Sequence, residues 1–293
     1  MRHKRSWSDL IFNIIVRTLL IILTALCIFP FINLLAISLS SPEAVMSGDV
    51  FFLPKGFTME VYKSIIRNGS LVVAMWRTII ITVVYVLICV TMTLLCAYPL
   101  SIPELKGKNF LWPFIMFTMY FSGGMIPSYI LINQLGLIDS YAALILPGMI
   151  STYNMIVMRS FLSSIPNALR ESAFIDGAND LTIFLKIILP LSKPAIATIA
   201  LFYAIGRWNG ITDALLYINS SSKAVLQIKL KAMVNATEQV NELLEGNRSS
   251  SSSMITATMR AGSILFSLIP VMIVYPFLQK YFVKGVMIGA VKG

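Results

Sequence analysis

The chain has 293 residues, 57% of them hydrophobic and 12% charged, with a formal charge of +10 at pH 7 and a mean hydropathy of +0.81. Soluble domains carry about 25% charged residues, so this composition cannot clothe a water-facing surface and excludes an ordinary soluble enzyme. The apolar residues fall into runs of about 20, the length of a helix that crosses a bilayer.

Six runs are expected as spans, at residues 18–39, 77–99, 111–133, 141–160, 194–215 and 260–279. Backbone in lipid must satisfy its own hydrogen bonds, and Gly and Pro interrupt these runs too irregularly for strand alternation. The reading is therefore all-α: a polytopic membrane protein with six transmembrane helices. Residues 1–17 are expected as a cytoplasmic N-terminus, with Arg2, Lys4 and Arg5 at its start and an interfacial helix over 8–16. They imitate a signal peptide, but the run 18–39 is too long for one and lacks a small-residue cleavage site, so a retained anchor is expected. Arg17 stands at the edge of that span, where its stem reaches the headgroups.

Residues 40–76 read as an extracytoplasmic loop with turn formers at Ser41-Pro42, Gly48-Asp49 and Pro54-Lys55-Gly56. Residues 77–279 hold the other five spans, together with a long inner loop at 161–193 and a long outer loop at 216–259. The outer loop combines a surface helix over 225–244 with a serine-rich tract at 246–253, and residues 280–293 form a cytoplasmic tail. Orientation follows from the short loops: 101–110 carries Lys106 and Lys108, whereas 134–140 carries no base. Both termini are expected inside. Cys27, Cys89 and Cys96 all lie within apolar runs and read as small buried hydrophobes, so neither a disulfide framework nor a metal site is expected.

An ionisable group inside the membrane needs a partner or a cavity, since it costs about 2.5–3.5 kcal/mol at mid-bilayer on insertion scales. The fifth run keeps Arg207, Trp208, Asn209 and Asp213. On a straight helix Arg207 and Asp213 stand about 120° apart in net angle, so direct pairing is not expected. Two readings stay open. The cluster lines a path for a polar solute, with Trp208 stacking on a sugar face and Arg207 and Asn209 hydrogen bonding, or it is an interhelical contact that fixes packing. In the third run, Gly123 and Gly124 within Ser122–Pro127 are expected to bend or break the helix, as a transport site or a close helix crossing would require. The spans contain no His and no paired carboxylates, and the chain has no Gly-x-x-x-x-Gly-Lys-Ser/Thr loop, so ATP-driven movement would need a motor in another subunit.

The inner loop is less polar than a free cytoplasmic loop should be. Ser163 or Ser164 can cap a helix starting near Pro166, Gly177 can end it, and Asn179 or Asp180 can cap a second helix stopped at Pro190. Leu169, Ala173, Phe174, Ile175 and Phe184 mix with charges there, which implies a docking surface.

The stretch Glu171-Ser172-Ala173-Phe174-Ile175-Asp176-Gly177-Ala178, followed by Ile188-Leu189-Pro190 and Pro194, resembles the Glu-Ala-Ala loop of membrane subunits of binding-protein-dependent ABC importers. Ser172 stands where that pattern has Ala. Span count, loop position and Trp208-Asn209 are similar to the carbohydrate-uptake branch, the type I permeases like the maltose permease G subunit, over about Arg77 to the C-terminus. The ending from Tyr281 to Gly293 resembles that of permeases for complex oligosaccharides, including pectin fragments and alginate.

The resemblance implies that Ala168 to Gly177 form a coupling helix seated in a groove of an ATPase. Ala168, Leu169, Glu171, Ser172, Ala173, Asp176 and Gly177 would carry the contact, with Glu171 pairing a basic groove residue, Ala173 permitting close approach and Gly177 setting the turn. It implies a bacterial cytoplasmic membrane, a heterodimer with a homologous permease, two ATPase subunits, an extracellular solute-binding protein and an oligosaccharide substrate, acidic or neutral. No cofactor is expected on this chain, with ATP and Mg on the ATPases, and no nucleic acid. A polyamine or amino-acid permease would share the loop. A channel or an intramembrane enzyme would need pore rings or a convergent nucleophile or metal site, which the sequence does not offer.

Overall fold

A computed structural model describes residues 7–244 and 257–276, and among these every regular element is helical. The described residues divide into two compact units, 7–71 with 230–244 and 257–268, and 72–229 with 269–276.

The first unit is led by α1 (Trp7–Ser38), a single helix of 32 residues, about 48 Å long at 1.5 Å per residue. It runs unbroken through 8–16, where the sequence reading separated an interfacial helix; neither Gly nor Pro occurs before Pro30 to interrupt it. Its far end is fixed by the loop that follows. Asn33 Nδ2 donates to the Phe51 carbonyl at 2.9 Å, and the Thr58 amide donates to the Leu39 carbonyl at 2.9 Å. Ser41 caps α2 (Pro42–Met46), and α3 (Glu60–Asn68) ends at Gly69 with φ +68°. α3 buries Val61 and Ile65, and a Cβ on Gly262 would collide with Val61, so glycine permits that approach.

The second unit holds α4 (Ser70–Ser101) from residue 72 onward. Next come α5 (Lys108–Tyr120) and α6 (Met125–Gln134), bent by 107° across the Gly123-Gly124 step as the sequence led us to expect. Gly124 has φ +88° and ψ −179°, a region essentially restricted to glycine. The fourth run is also broken: α7 (Ala142–Ile145), a 3-10 turn at Leu146–Gly148 and α8 (Thr152–Leu162) bend by 50°. The inner loop forms α9 (Ala168–Ile175), α10 (Asp180–Ile183), a π-turn at Phe184–Ile188 and α11 (Leu189–Leu191). A 77° bend leads into α12 (Lys193–Trp208). The chain continues through α13 (Thr212–Tyr217) into α14 (Leu226–Leu244), and α15 (Ala257–Pro276) follows. Three single helices and three bent pairs give up to six spans.

The core of this unit joins the membrane helices to the inner loop. Cys89, Ala97 and Leu100 of α4 pack with Met155 and Met158 of α8, Ile199 and Tyr203 of α12, and Ala173, Ile183, Phe184 and Ile188 of the loop. The first loop helix starts at Ala168 rather than near Pro166, and neither serine caps it: Ser164 Oγ donates back to the Phe161 carbonyl at 2.6 Å. Asn179 does cap α10, its Oδ1 accepting from the Thr182 amide at 2.8 Å. The second helix ends at Leu191, one residue past Pro190. A proline lacks the N–H for the ordinary helical bond, and the wider π-turn just before it absorbs that loss, so the chain stays helical to Leu191. The serine-rich tract, residues 277–279 of the sixth run and the tail 280–293 lie outside the described residues.

Candidate functional site

α9 is a lever with a defined end. The Ala178 amide donates to the Ala173 carbonyl at 2.9 Å and the Gly177 amide to the Phe174 carbonyl at 3.0 Å, the two bonds of a Schellman termination, with Gly177 at φ +80°. A Cβ on Gly177 would meet nothing within 4 Å, so the backbone conformation, not space, calls for glycine. Ser172 Oγ folds back onto the Ala168 carbonyl at 2.8 Å, which keeps the hydroxyl off the helix surface.

The candidate coupling residues divide by face. Ala168, Leu169, Glu171, Ser172, Asp176 and Gly177 are exposed, and Ile175 is 87% exposed. Ala173 is 8% exposed and Phe184 9%, both packed in the core. Here the expectation needs correcting: the close approach that Ala173 permits is to its own chain, because it lies on the face of α9 turned toward α4 and α8. One face of α9 is thus rooted in the membrane helices through Ala173, and the opposite face presents Glu171 and Ile175, while Leu169 stands exposed one turn before Ala173.

Arg170, which the sequence reading passed over, lies on the same helix. Its Nη1 stands 3.0 Å from Glu104 Oε2 and its Nη2 3.5 Å from Asp180 Oδ1. No local pattern could show a pairing with Glu104 from so far away in sequence.

The second candidate site is organised by backbone breaks. Arg207 is 8% exposed, and its Nη1 donates to the Leu144 carbonyl at 3.0 Å, in the broken fourth span. It also pairs with Asp213, Nη1 to Oδ2 and Nη2 to Oδ1 at 3.0 Å, and Nη2 donates to the Gly210 carbonyl at 3.1 Å. The expectation that Arg207 and Asp213 do not pair directly is overturned. α12 ends at Trp208 and the chain turns before α13 begins at Thr212, so the angular offset of a straight helix does not apply.

The fourth-span break frees more backbone groups, and neighbouring side chains take them. The Tyr85 hydroxyl donates to the Gly148 carbonyl at 3.1 Å, and the Ser151 amide donates to the Tyr203 hydroxyl at 3.0 Å. That hydroxyl also pairs with Thr93 Oγ1 at 2.7 Å. A bilayer has no water to do this work, so α4 and α12 must carry polar side chains at these levels.

Beside Arg207 lies a cavity of about 10 Å³ lined by Thr78, Thr82, Leu144, Trp208 and Gln227. That holds at most about one water, whereas ligand pockets run to about 300–1,000 Å³. Trp208 is 9% exposed, and its carbonyl accepts from Gln227 Nε2 at 2.9 Å. Arg207, Trp208 and Asp213 thus come together around this void, while Asn209 is exposed. Gly123 and Gly124 stand apart: an added Cβ would meet only Pro127 at the first and nothing within 4 Å at the second.

The loop at 134–140 is clamped to the segment after α13 by Asp139, which holds φ +57°. Its Oδ2 accepts from Ser220 Oγ at 2.6 Å and Lys223 Nζ at 2.9 Å, and its Oδ1 from the Ser220 amide at 2.9 Å. The Ser220 hydroxyl and amide, with Lys223, hold this carboxyl well below the usual carboxylate range. Among the described residues no group of three or more His, Cys, Asp or Glu could hold a metal ion.

Comparison with known proteins agrees with this architecture. Residues 105–288 match the family model described as binding-protein-dependent transport system inner membrane component. The chain is 40% identical over 286 residues to the polygalacturonan/rhamnogalacturonan transport system permease protein YtcP of Bacillus subtilis (strain 168), covering 97% of this chain and 99% of the relative. It is 41% identical over 274 residues to Protein LplC of the same organism, covering 92% and 90%. A crystal structure of a bacterial ABC transporter involved in the import of the acidic polysaccharide alginate contains a chain with TM-score 0.85 and 36% identity, covering 95% of this chain and 99% of that one. With the fold, the inner loop and these matches in agreement, the chain belongs to the inner membrane components of binding-protein-dependent transport systems, as an ABC importer permease of type I fold.

Proposed function

We propose that this chain forms the import path for an oligosaccharide together with a homologous second permease, powered by two ATPase subunits that bind ATP and Mg and supplied by an extracellular solute-binding protein. The observation that carries the reading is α9, an eight-residue helix with one exposed face and one face rooted in the membrane core through Ala173. A push on the exposed face reaches α4, α8 and α12 without slack, because packed interiors shift between arrangements rather than deform continuously. ATP-driven closure of the ATPases would rock these helices between outward-open and inward-open states.

In this reading Ala168, Leu169, Glu171, Ser172, Asp176 and Gly177 meet the ATPase, and Ala173 transmits the motion. Both termini lie in the cytoplasm, and residues 40–76 and 216–259 face the binding protein. Asn209 and the Gly123-Gly124 bend are left to meet the solute, while Arg207, Trp208 and Asp213 shape the path indirectly by fixing the break after α12. The names of YtcP and of the alginate importer support an acidic oligosaccharide as first candidate. The test is uptake into proteoliposomes holding the whole importer and its binding protein, with tetragalacturonate and maltotetraose compared. Preferential uptake of tetragalacturonate is expected. Preferential uptake of maltotetraose would refute the acidic assignment, and uptake of neither would refute the oligosaccharide assignment for both classes.

A further inference from the structure

The inner surface of the second unit carries one cationic side chain that joins three separate segments. Arg170 projects from α9, and its fork meets Glu104 in the turn between α4 and α5 and Asp180 at the first position of α10. The guanidinium carbon lies 5.1 Å from the Phe174 ring centre, and the side chain is 21% exposed against 68% and 63% for its two acidic partners. Arg170 Nε is buried with no hydrogen-bond partner among the described residues, so the side chain reaches its place at a desolvation cost.

An exposed ion pair contributes little to stability, and neither pair alone would matter much. The geometry has a different use. A planar fork with two ends can hold two carboxylates on different segments at once, which a lysine point charge cannot do. The core already connects α9 to α4, α8 and α12, but its buried cluster leaves the start of α5 aside. Leu105 of the α4–α5 turn and Trp112 and Ile115 of α5 pack half-buried against its edge, and the Arg170–Glu104 pair adds a direct ionic link from α9 to that turn.

We propose that Arg170 is a positioning residue of the coupling region: it clamps α9 to the α4–α5 turn through Glu104 and to α10 through Asp180, so that one displacement of α9 moves the third and fifth spans together. The inference rests on α9 being the coupling helix.

The test uses the complete importer in proteoliposomes with its binding protein and tetragalacturonate, reading uptake per ATP hydrolysed. Glu104 lies outside α9, so Glu104→Gln removes one arm of the clamp and leaves every side chain of α9 in place. Its uptake per ATP should fall about fivefold, the low end of typical allosteric coupling, with the ATPase subunits still co-purifying. Arg170→Lys should fall similarly, because it keeps the charge and loses the fork. The triple reversal Glu104→Arg, Arg170→Glu, Asp180→Arg should recover most of the loss, which a purely local packing role would not allow. Wild-type uptake per ATP in Glu104→Gln and Asp180→Asn would overturn the proposal, as would a triple reversal no better than Arg170→Lys. Gly177→Val separates the two readings. Defective Gly177→Val with normal Glu104→Gln defeats the clamp alone, whereas normal Gly177→Val defeats the coupling role of α9.

Discussion

Arg207 and Asp213 form an ion pair across the turn that ends α12, and the same guanidinium holds the Leu144 carbonyl of the broken fourth span. Two interruptions of the membrane helices are thus fastened by one side chain. Arg207→Met should leave Asp213 and the Leu144 carbonyl without their partner. Breaking a buried pair costs about 3–5 kcal/mol, and the partial exposure of Asp213 puts this site at the lower end. Asp213→Asn leaves Arg207 two backbone acceptors and should cost about 1–2 kcal/mol. Thermal unfolding of the purified complex checks the order. A change in substrate preference without loss of stability would instead return Arg207 to the solute path.

Gly148 lies against Tyr85, whose hydroxyl would stand 2.5 Å from an added Cβ. Gly148→Ala should therefore destabilise the complex, and Tyr85→Phe, which removes the hydroxyl but leaves the Gly148 carbonyl to Cys89 Sγ at 3.5 Å, should partly rescue it. A double-mutant cycle on thermal stability should show a coupling of roughly 0.5–3 kcal/mol. Strict additivity would mean that the break has another support.

These breaks mark where the sequence stopped being legible. Span number, the all-α class, the Gly123-Gly124 bend and the Gly177 turn were readable because apolar run length, glycine conformation and capping are local properties. The Arg207–Asp213 pair was not, since a straight helix was assumed where Asn209 to Ile211 turn the chain. Pro147-Gly148 was a visible signal of the fourth-span break that apolar length concealed. The inward face of Ala173 and the pairing of Arg170 with Glu104 depend on which segments meet in space, and no spacing rule in a single chain records that.

Gly177→Val should uncouple uptake from ATP hydrolysis while membrane insertion persists. A non-glycine residue at φ +80° costs about 1–2 kcal/mol, and a β-branched side chain fits that region worst. Gly177→Ala should be milder. Comparing ATP hydrolysis with uptake for the two variants checks the order, and equal, normal coupling in both would remove the turn from the lever.

Asp139 gives a pH signature. Its folded carboxyl is held below the ordinary value by Ser220 and Lys223, so the unfolded chain takes up a proton first as pH falls. The clamp's contribution is full at neutral pH, begins to fade as pH drops below about 4, and is lost as pH passes the depressed folded value. Asp139→Asn keeps a residue that tolerates φ +57° but removes the charge. Its stability deficit should be greatest at neutral pH and shrink in acid. A deficit independent of pH down to strong acid would show that shape, not charge, holds these loops.

The coupling role of α9 is tested most directly by what touches it. A photo-cross-linking amino acid placed at position 175, where Ile175 is 87% exposed, should form an adduct with the ATPase subunit in native membranes. The same probe at Asn219, exposed in the outer loop, should form none with it. Adducts to the ATPase from position 219, or none from position 175 in an importer that transports normally, would contradict the assignment of α9 as the coupling helix.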